Sequence, residues 1–333
     1  MENTKIKFNN YNNCENEMLN RNFYVEDIKS ISYKSNFVDL PQEKNQPKYI
    51  IKKDSNVFSE NTIDSEKENI FIINIYTVGY KEKGESIYIT IESRCKNFFY
   101  DILIDCYKTS QNITKILLGK IKRKKGINCI CLSHYHDDHT LGLDEILKDY
   151  SKINTLVLVP DVDCEKSLSA NAVEIRKKIA DLVKNGKKKN GDVLKVSNPC
   201  MILDNNIFTG DKKINFTIIA VSPFSNITMR NANKNPVSVE LNDYSISLLV
   251  IFGNLKLLFT GDTMDTTLRK MENMNDVNFL KIPHHGSNDS EKMLDLVNIC
   301  KDTVCVSTNY ITSNLPDIKL LNKYTKLTDE LYV

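Results

Sequence analysis

The 333-residue chain sets 45 Lys and Arg against 43 Asp and Glu, a formal net charge of +2, with 41% hydrophobic and 26% charged residues and a mean hydropathy of −0.36. That length allows one large domain plus an extension, or two domains. No apolar run approaches the ~20 residues that cross a bilayer, and the opening Met-Glu-Asn-Thr-Lys-Ile-Lys lacks the apolar core of a signal peptide, so a cytoplasmic protein without a membrane segment is expected. Nine cysteines, an odd number without paired short spacing, fit a reduced compartment better than a disulfide framework.

Residues 1–66 are rich in Asn, Lys, Glu and Ser, contain no glycine, and bring apolar residues only in short groups such as Phe23-Tyr24-Val25 and Tyr49-Ile50-Ile51. Such a stretch cannot bury a core of its own. It reads as a polar N-terminal extension, either partly ordered against the rest of the chain or disordered, with a linker near 55–69 and room to dock a protein partner. Residues 67–333 form the main domain. Two strands, 70–75 and 86–89, flank a loop from Gly79 to Gly84, which is a hairpin pattern. Ile113, Ile116, Leu117 and Ile121 then fall at helical spacing, and the run Lys120-Ile121-Lys122-Arg123-Lys124-Lys125 follows that apolar face. Lysine runs are usually solvated surface. Yet Lys122, Arg123, Lys124 and Lys125 directly precede the next strand, and Lys187-Lys188-Lys189 follow the next long helix, marked by Ile175, Ile179, Leu182 and Val183 and stopped at Gly186. Such side chains neutralise backbone phosphates, so the two runs favour a nucleic acid as substrate.

The run 127–132 reads as a buried strand. Where it ends the chain carries His134-Tyr135-His136-Asp137-Asp138-His139, three imidazoles and two carboxylates within six residues, at the kind of strand end where α/β folds build their sites. On an extended segment His134 and His136 point the same way, so both reach one ion. Asp138 and His139 follow as the chain turns into a helix marked by Leu141, Leu143, Ile146, Leu147 and Tyr150, which aims them at a second position. All five histidines lie in two clusters, this one and His284/His285. Mixed His and carboxylate clusters suit zinc or a similar divalent ion. Asp137 reads as a solvated or structural residue, and Cys129 and Cys131 as small core side chains.

The second half is strand-rich, at 214–221, 246–252 and 255–260, the last two joined by Gly253-Asn254, a two-residue hairpin signal. Helices are expected at 263–272, 291–300 and 318–324. Strand pairs interleaved with helices argue an α/β or α+β fold.

The string His-X-His-X-Asp-His followed by Gly142 resembles the signature of the metallo-β-lactamase superfamily, and other pieces arrive in that superfamily's order. Phe99-Tyr100-Asp101-Ile102-Leu103-Ile104-Asp105 looks like its strand ending in a buttressing aspartate, and Leu257-Leu258-Phe259-Thr260-Gly261-Asp262 like its strand ending in a metal-bridging aspartate. Leu280-Lys281-Ile282-Pro283-His284-His285-Gly286-Ser287 supplies the last histidine. Within the superfamily the chain is most similar to the hydrolase domain of ComEC-type competence proteins, with bacterial phosphorylcholine esterases second. That likeness rests on Pro-His-His-Gly-Ser, the preceding Leu-Lys-Ile, the stretch Asn242-Asp243-Tyr244-Ser245 and Gly84-Glu85-Ser86-Ile87, and it covers about residues 70–320.

The resemblance implies a metallo-β-lactamase-like four-layer αββα sandwich behind the N-terminal extension, with one or two divalent ions, zinc or manganese. It places His134, His136 and a bridging Asp262 on the first ion, and Asp138, His139, Asp262 and one of His284/His285 on the second. Adjacent residues on an extended segment point oppositely, so the two cannot readily bind the same ion; either could be the ligand, and the assignment taken is His285 as the ligand and His284 to the substrate phosphate or leaving group. Asp105 orients a ligand and joins Asp138 and His284 in the catalytic set. No third-cluster histidine exists in the chain, and Asn242 is the expected weak ligand in its place. The expected function is a phosphodiesterase or nuclease cutting DNA or RNA through a metal-bound hydroxide. The alternatives are a small-molecule phosphodiesterase of the phosphorylcholine-esterase kind and a metal-stabilised, non-catalytic interaction protein.

Overall fold

The computed structural model describes residues 19–26, 30–37, 71–79, 84–93, 98–121, 126–151, 154–162, 165–184, 193–209, 212–233 and 239–333. Its strands are β1 (Leu19–Glu26), β2 (Ser30–Phe37), β3 (Phe71–Gly79), β4 (Glu85–Ser93), β5 (Phe99–Ile104), β6 (Cys129–Cys131), β7 (Leu156–Pro160), β8 (Val193–Val196), β9 (Cys200–Thr209), β10 (Lys212–Ala220), β11 (Leu248–Phe252), β12 (Leu255–Phe259), β13 (Asn275–Asp276), β14 (Phe279–Lys281), β15 (Val297–Asn298), β16 (Val304–Val306) and β17 (Glu330–Tyr332). The helices are α1 (Ile113–Lys120), α2 (Asp137–Thr140), α3 (Leu143–Tyr150), α4 (Ala170–Lys184), α5 (Ser225–Ala232), α6 (Asp265–Leu268), α7 (Met293–Leu296) and α8 (Ile318–Leu327).

Two sheets carry the fold. One has the order β2-β1-β3-β4-β5-β6-β7-β8 and the other β17-β16-β14-β12-β11-β10-β9. Alternation decides which side chain goes where. On β4, Ile87, Ile89 and Ile91 enter the core between the sheets while Tyr88 faces the helices; on β6, Cys129 and Cys131 point inward and Ile130 outward. The inner layer also holds Phe71, Phe216, Phe252, Leu257 and Phe279. Leu117 and Leu118 of α1, Ile146 and Leu147 of α3 and Ile175 of α4 cover the outer face of the first sheet. Leu268 of α6, Met293 of α7 and Leu320, Leu321 and Tyr324 of α8 cover that of the second. Helices outside, sheets inside, is the αββα arrangement that the resemblance implies.

Each sheet is parallel over the half whose connections are helical: β5, β6, β7 and β8 in the first, β12, β14, β16 and β17 in the second. Parallel strands buried on both faces read as continuous apolar runs, as Leu-Val-Leu-Val of β7 does. The Gly253-Asn254 turn joins β11 to β12 with Phe252 opposite Leu255, and Gly253 takes the left-handed φ of 58° that such a turn demands. Two helices are shorter than the periodicity predicts. α6 covers only Asp265–Leu268, with tight turns carrying the chain on through Met271. α7 stops at Leu296 because Val297 and Asn298 leave it to pair with Asn275 and Asp276.

Residues 19–26 and 30–37 of the polar extension form an antiparallel pair that joins β3 at the sheet edge, with Phe23 opposite Ile73. The proposed linker at 55–69 and both lysine runs, Lys122–Lys125 and Lys187–Lys189, lie outside the described residues. Among the described residues no helix is long and apolar enough to cross a membrane.

Phe252 is fully buried between the sheets, its ring 4.9 Å from that of Phe71 and 5.9 Å from that of Phe216. Phe252→Ala removes that wedge, and we expect a loss of about 3–5 kcal/mol in unfolding free energy, measured by urea denaturation. A loss below about 1 kcal/mol would contradict the packing described.

Candidate metal centre

The ends of five strands meet at one rim of the sandwich. β5 runs out into Asp105, β6 into Ser133 and the His134–His139 segment, β12 into Asp262, β14 into His284 and His285, and β16 into Thr308. The beginning of β4 adds Glu85. Close approach there depends on Gly84: a Cβ at that position would lie 2.0 Å from the carbonyl oxygen of Asp138, so only glycine admits this backbone beside the histidine segment.

Four side chains converge. Asp138 Oδ2 lies 3.5 Å from His139 Nε2 and 3.3 Å from His285 Nε2. Asp262 Oδ2 lies 3.4 Å from His139 Nε2 and 3.3 Å from His285 Nε2. An ion with bonds of ~2.1 Å at the centre of a tetrahedron has ligand–ligand edges of roughly 3.4 Å, so these separations are those of a coordination shell. Both imidazole Nε2 atoms are buried and have no hydrogen-bond partner among the described residues. Buried orphan nitrogens are costly, and a divalent cation satisfies both. A second pair adjoins. His134 Nε2 is 3.0 Å from His136 Nδ1 and 3.9 Å from Asp262 Oδ2, so Asp262 stands between the two positions.

Asp105 orders two of these rings. Its Oδ2 accepts from His139 Nδ1 at 2.8 Å and from the Ser133 hydroxyl at 2.6 Å, and its Oδ1 from the Ser133 amide at 2.6 Å. Because the Ser133 proton goes to the carboxylate, its oxygen accepts from His134 Nδ1 at 3.0 Å. Both Nε2 atoms are thereby turned toward the cluster. Asp105 is itself held at φ 58°, uncommon for a non-glycine residue.

Charge follows burial and neighbours. Burial holds His134 and His136 below the ordinary histidine range. For His139 the same burial is outweighed by Asp262, Asp138 and Asp105, which hold it well above that range. For His285 burial is outweighed by Asp262 and Asp138, which push it up to about 9. Asp138 and Asp262, against their burial, are held well below the carboxylate range, Asp138 by His139 and Asp262 by His285, His139 and Lys281. Protons on His139 and His285 thus stand where a divalent ion would.

The remaining candidates separate clearly. His285 is 1% exposed and faces the cluster, whereas His284 is 20% exposed, with Nδ1 2.8 Å from Asp289 and Nε2 3.2 Å from the Asn242 amide nitrogen. An extended segment would set the two rings on opposite faces. Instead both residues are left-handed, with φ of 48° and 49°, and this kink turns one ring inward and the other to the rim. Asn242 is brought to His284, and its Oδ1 is buried without a partner among the described residues. Asp137 is exposed and accepts from Ser169 and Asn171, tying α2 to α4. Cys106 is buried beside Asn112, its thiol pushed up to about 12 by that burial.

Sequence reasoning missed Glu85, Lys281, Thr308 and Tyr310. Lys281 is fully buried with its ammonium 3.5 Å from Asp262 Oδ1, and the Tyr310 ring stacks on His285 with centroids 5.2 Å apart. A lone lysine inside the apolar string Phe-Leu-Lys-Ile was the available signal.

No family model matches the chain, and no curated protein matches it significantly. Among solved structures it is similar to a HARLDQ-motif mutant of a metallo-β-lactamase from Cronobacter sakazakii, at 15% identity and a TM-score of 0.29, over 56% of this chain and 60% of that one. It is similar also to a metallo-β-lactamase from Hirschia baltica, at 16% identity and a TM-score of 0.27, over 58% of this chain and 68% of that one. A β-lactamase domain protein from Burkholderia ambifaria aligns at 12% identity and a TM-score of 0.32, over 72% of this chain and 67% of that one.

The raised imidazoles fix a pH dependence. A group whose folded pKa exceeds its unfolded value stabilises below the unfolded pKa, ~6.5 for histidine, and loses that contribution as the pH rises through the folded value. Metal-free protein should therefore lose stability between pH 6.5 and about 9, the value for His285. Added zinc should restore it by replacing the protons. Urea denaturation at the two pH values checks this, and equal or greater metal-free stability at the upper pH would contradict the charge assignment.

Proposed function

We propose that the protein is a metal-dependent hydrolase of the metallo-β-lactamase superfamily, and that its substrate is a phosphodiester of a nucleic acid. The observation that carries the metal-dependent reading is the convergence of Asp138, His139, Asp262 and His285 at coordination distances around two buried, unpartnered imidazole nitrogens. In this reading those four hold one ion, while His134, His136 and the shared Asp262 hold a second, with Asn242 as a weak further ligand. Bound there, divalent ions supply Lewis acidity, lowering the pKa of a water toward neutrality and polarising the oxygen of the bond to be cut.

The chain's own residues do the rest. Asp105 keeps the Nε2 atoms of His134 and His139 facing the cluster. His284, at the rim and paired with Asp289, offers an imidazole to a substrate phosphate or to its leaving oxygen. The Pro-His-His-Gly-Ser string and the lysine runs support a nucleic acid over a small phosphodiester. A polyanion would meet Lys122, Arg123, Lys124 and Lys125 through its backbone.

Asp262→Ala should remove bound metal and lower turnover at least about 100-fold together, more than the loss of an outer partner causes. Retention of both would defeat the site. Replacing Lys122, Arg123, Lys124 and Lys125 by Ala should weaken cleavage of DNA or RNA and flatten its salt dependence by ~0.7–0.9 in log–log slope for each phosphate no longer neutralised. Hydrolysis of a small aryl phosphodiester should be unchanged; equal loss on both would point to a small-molecule enzyme. An amide oxygen is a weaker ligand than imidazole. Purified protein should accordingly hold one ion tightly, gain activity with manganese, and bind the second ion more tightly in Asn242→His. Two zinc ions that resist mild chelation in wild type would refute that.

A further inference from the structure

Behind the cluster lies a buried chain of polar groups that reaches both Asp262 and His285. Glu85, 1% exposed at the start of β4, accepts from the Thr308 hydroxyl at 2.6 Å and lies 2.8 Å from Lys281 Nζ. Lys281, fully buried at the end of β14, also donates to the Gly261 carbonyl at 2.8 Å and lies 3.5 Å from Asp262 Oδ1. Thr308 Oγ1 stands 2.8 Å from His285 Nδ1.

The donors and acceptors in this chain leave one arrangement. A carboxylate paired with an ammonium only accepts hydrogen bonds, and a threonine hydroxyl has a single proton. Thr308 therefore gives its proton to Glu85, and its oxygen accepts from Nδ1–H of His285. With the proton on Nδ1, the Nε2 lone pair of a neutral His285 is turned to Asp138 and Asp262. On the other arm the ammonium of Lys281 engages Oδ1 of Asp262, leaving Oδ2 to face the imidazoles. A metal-bound histidine is commonly fixed through its other nitrogen in this way, and loss of such a partner typically costs about 10–100-fold in metal affinity.

We propose that Glu85 and Thr308 are positioning residues for the ion held by Asp138, His139, Asp262 and His285: Glu85 fixes the tautomer of His285 through Thr308 and the aim of Asp262 through Lys281. The inference rests on the metal-dependent reading. It predicts that Thr308→Val, which keeps the shape and removes the hydroxyl, weakens zinc binding about 10–100-fold, while Thr308→Ser retains wild-type affinity. Glu85→Gln, which replaces the acceptor-only group by an amide, should weaken zinc binding at least as much as Thr308→Val.

The experiment uses the full chain, stripped of metal and titrated with zinc against a chromophoric chelator, with circular dichroism to verify the fold of each variant. A second readout is the Nδ1–H resonance of His285 in the zinc-loaded protein. It should be protected from exchange in wild type and in Thr308→Ser, and lost in Thr308→Val. Wild-type protein that binds no zinc overturns the metal reading and this inference with it. Folded Thr308→Val that binds zinc as tightly as wild type, with an unchanged Nδ1–H signal, overturns this inference alone.

Discussion

The site depends on two buried carboxylates that do not themselves join the four-residue cluster. Asp105 accepts three hydrogen bonds from Ser133 and His139, and all of them tie β5 to the loop leaving β6, within the first sheet. Glu85 reaches the other way. Its partners are Lys281, the last residue of β14, and Thr308, just past β16, both on the side of the second sheet, so the rim that the apolar core holds together from below is closed above by charge. Neither carboxylate would survive burial without these donors, since an unpaired ion in a dry interior costs several kcal/mol. The donors in turn leave His134, His139 and His285 a single orientation, with Nε2 toward the centre.

That pre-organisation leaves the centre electrostatically unfinished. Asp138 and Asp262 bring negative charge to the same point as the Nε2 atoms of His139 and His285, and burial opposes charging either ring. In metal-free protein the conflict is met by protons on His139 and His285. Protons serve poorly, because the Nε2 atoms find no acceptor with hydrogen-bond geometry. One divalent cation at the same place neutralises the two carboxylates and uses every lone pair, so affinity for it is built into the fold at the expense of stability without it.

The amino-acid order reveals the cluster because the chemistry is local there. His134, His136, Asp138 and His139 come from six consecutive residues, and Gly261-Asp262 and His284-His285 each end a strand whose apolar pattern is plain. The layered fold is legible for the same reason: the alternation in β4 and the Gly253-Asn254 turn are short-range signals. What the order conceals acts over long separations. Thr308 and Glu85 are 223 positions apart, and no spacing rule connects them. Chain order suggests Asn242 as a ligand, but its contact with His284 is set by the way two loops fold against each other, which no spacing shows. Apolar spacing overextends the helices at 263–272 and 291–300 because it says nothing about the short β13–β15 pairing that ends α7.

The kink at His284 and His285 explains how adjacent residues can serve different purposes. Two successive left-handed non-glycine residues carry a strain of about 1–3 kcal/mol each, which the surroundings must offset. They do so with backbone bonds: His284 donates to Gly261, Gly286 to Pro283, Ser287 to His284, and Asp317 to Gly286. The first of these anchors the kink to the residue before Asp262, so the turn that directs His285 inward is referenced to the carboxylate it must meet. An extended pair would have set the two rings on opposite faces of a strand, one inside the core between the sheets and one among the helices. The left-handed pair keeps both at the rim, one buried against the cluster and one partly exposed beside Asp289.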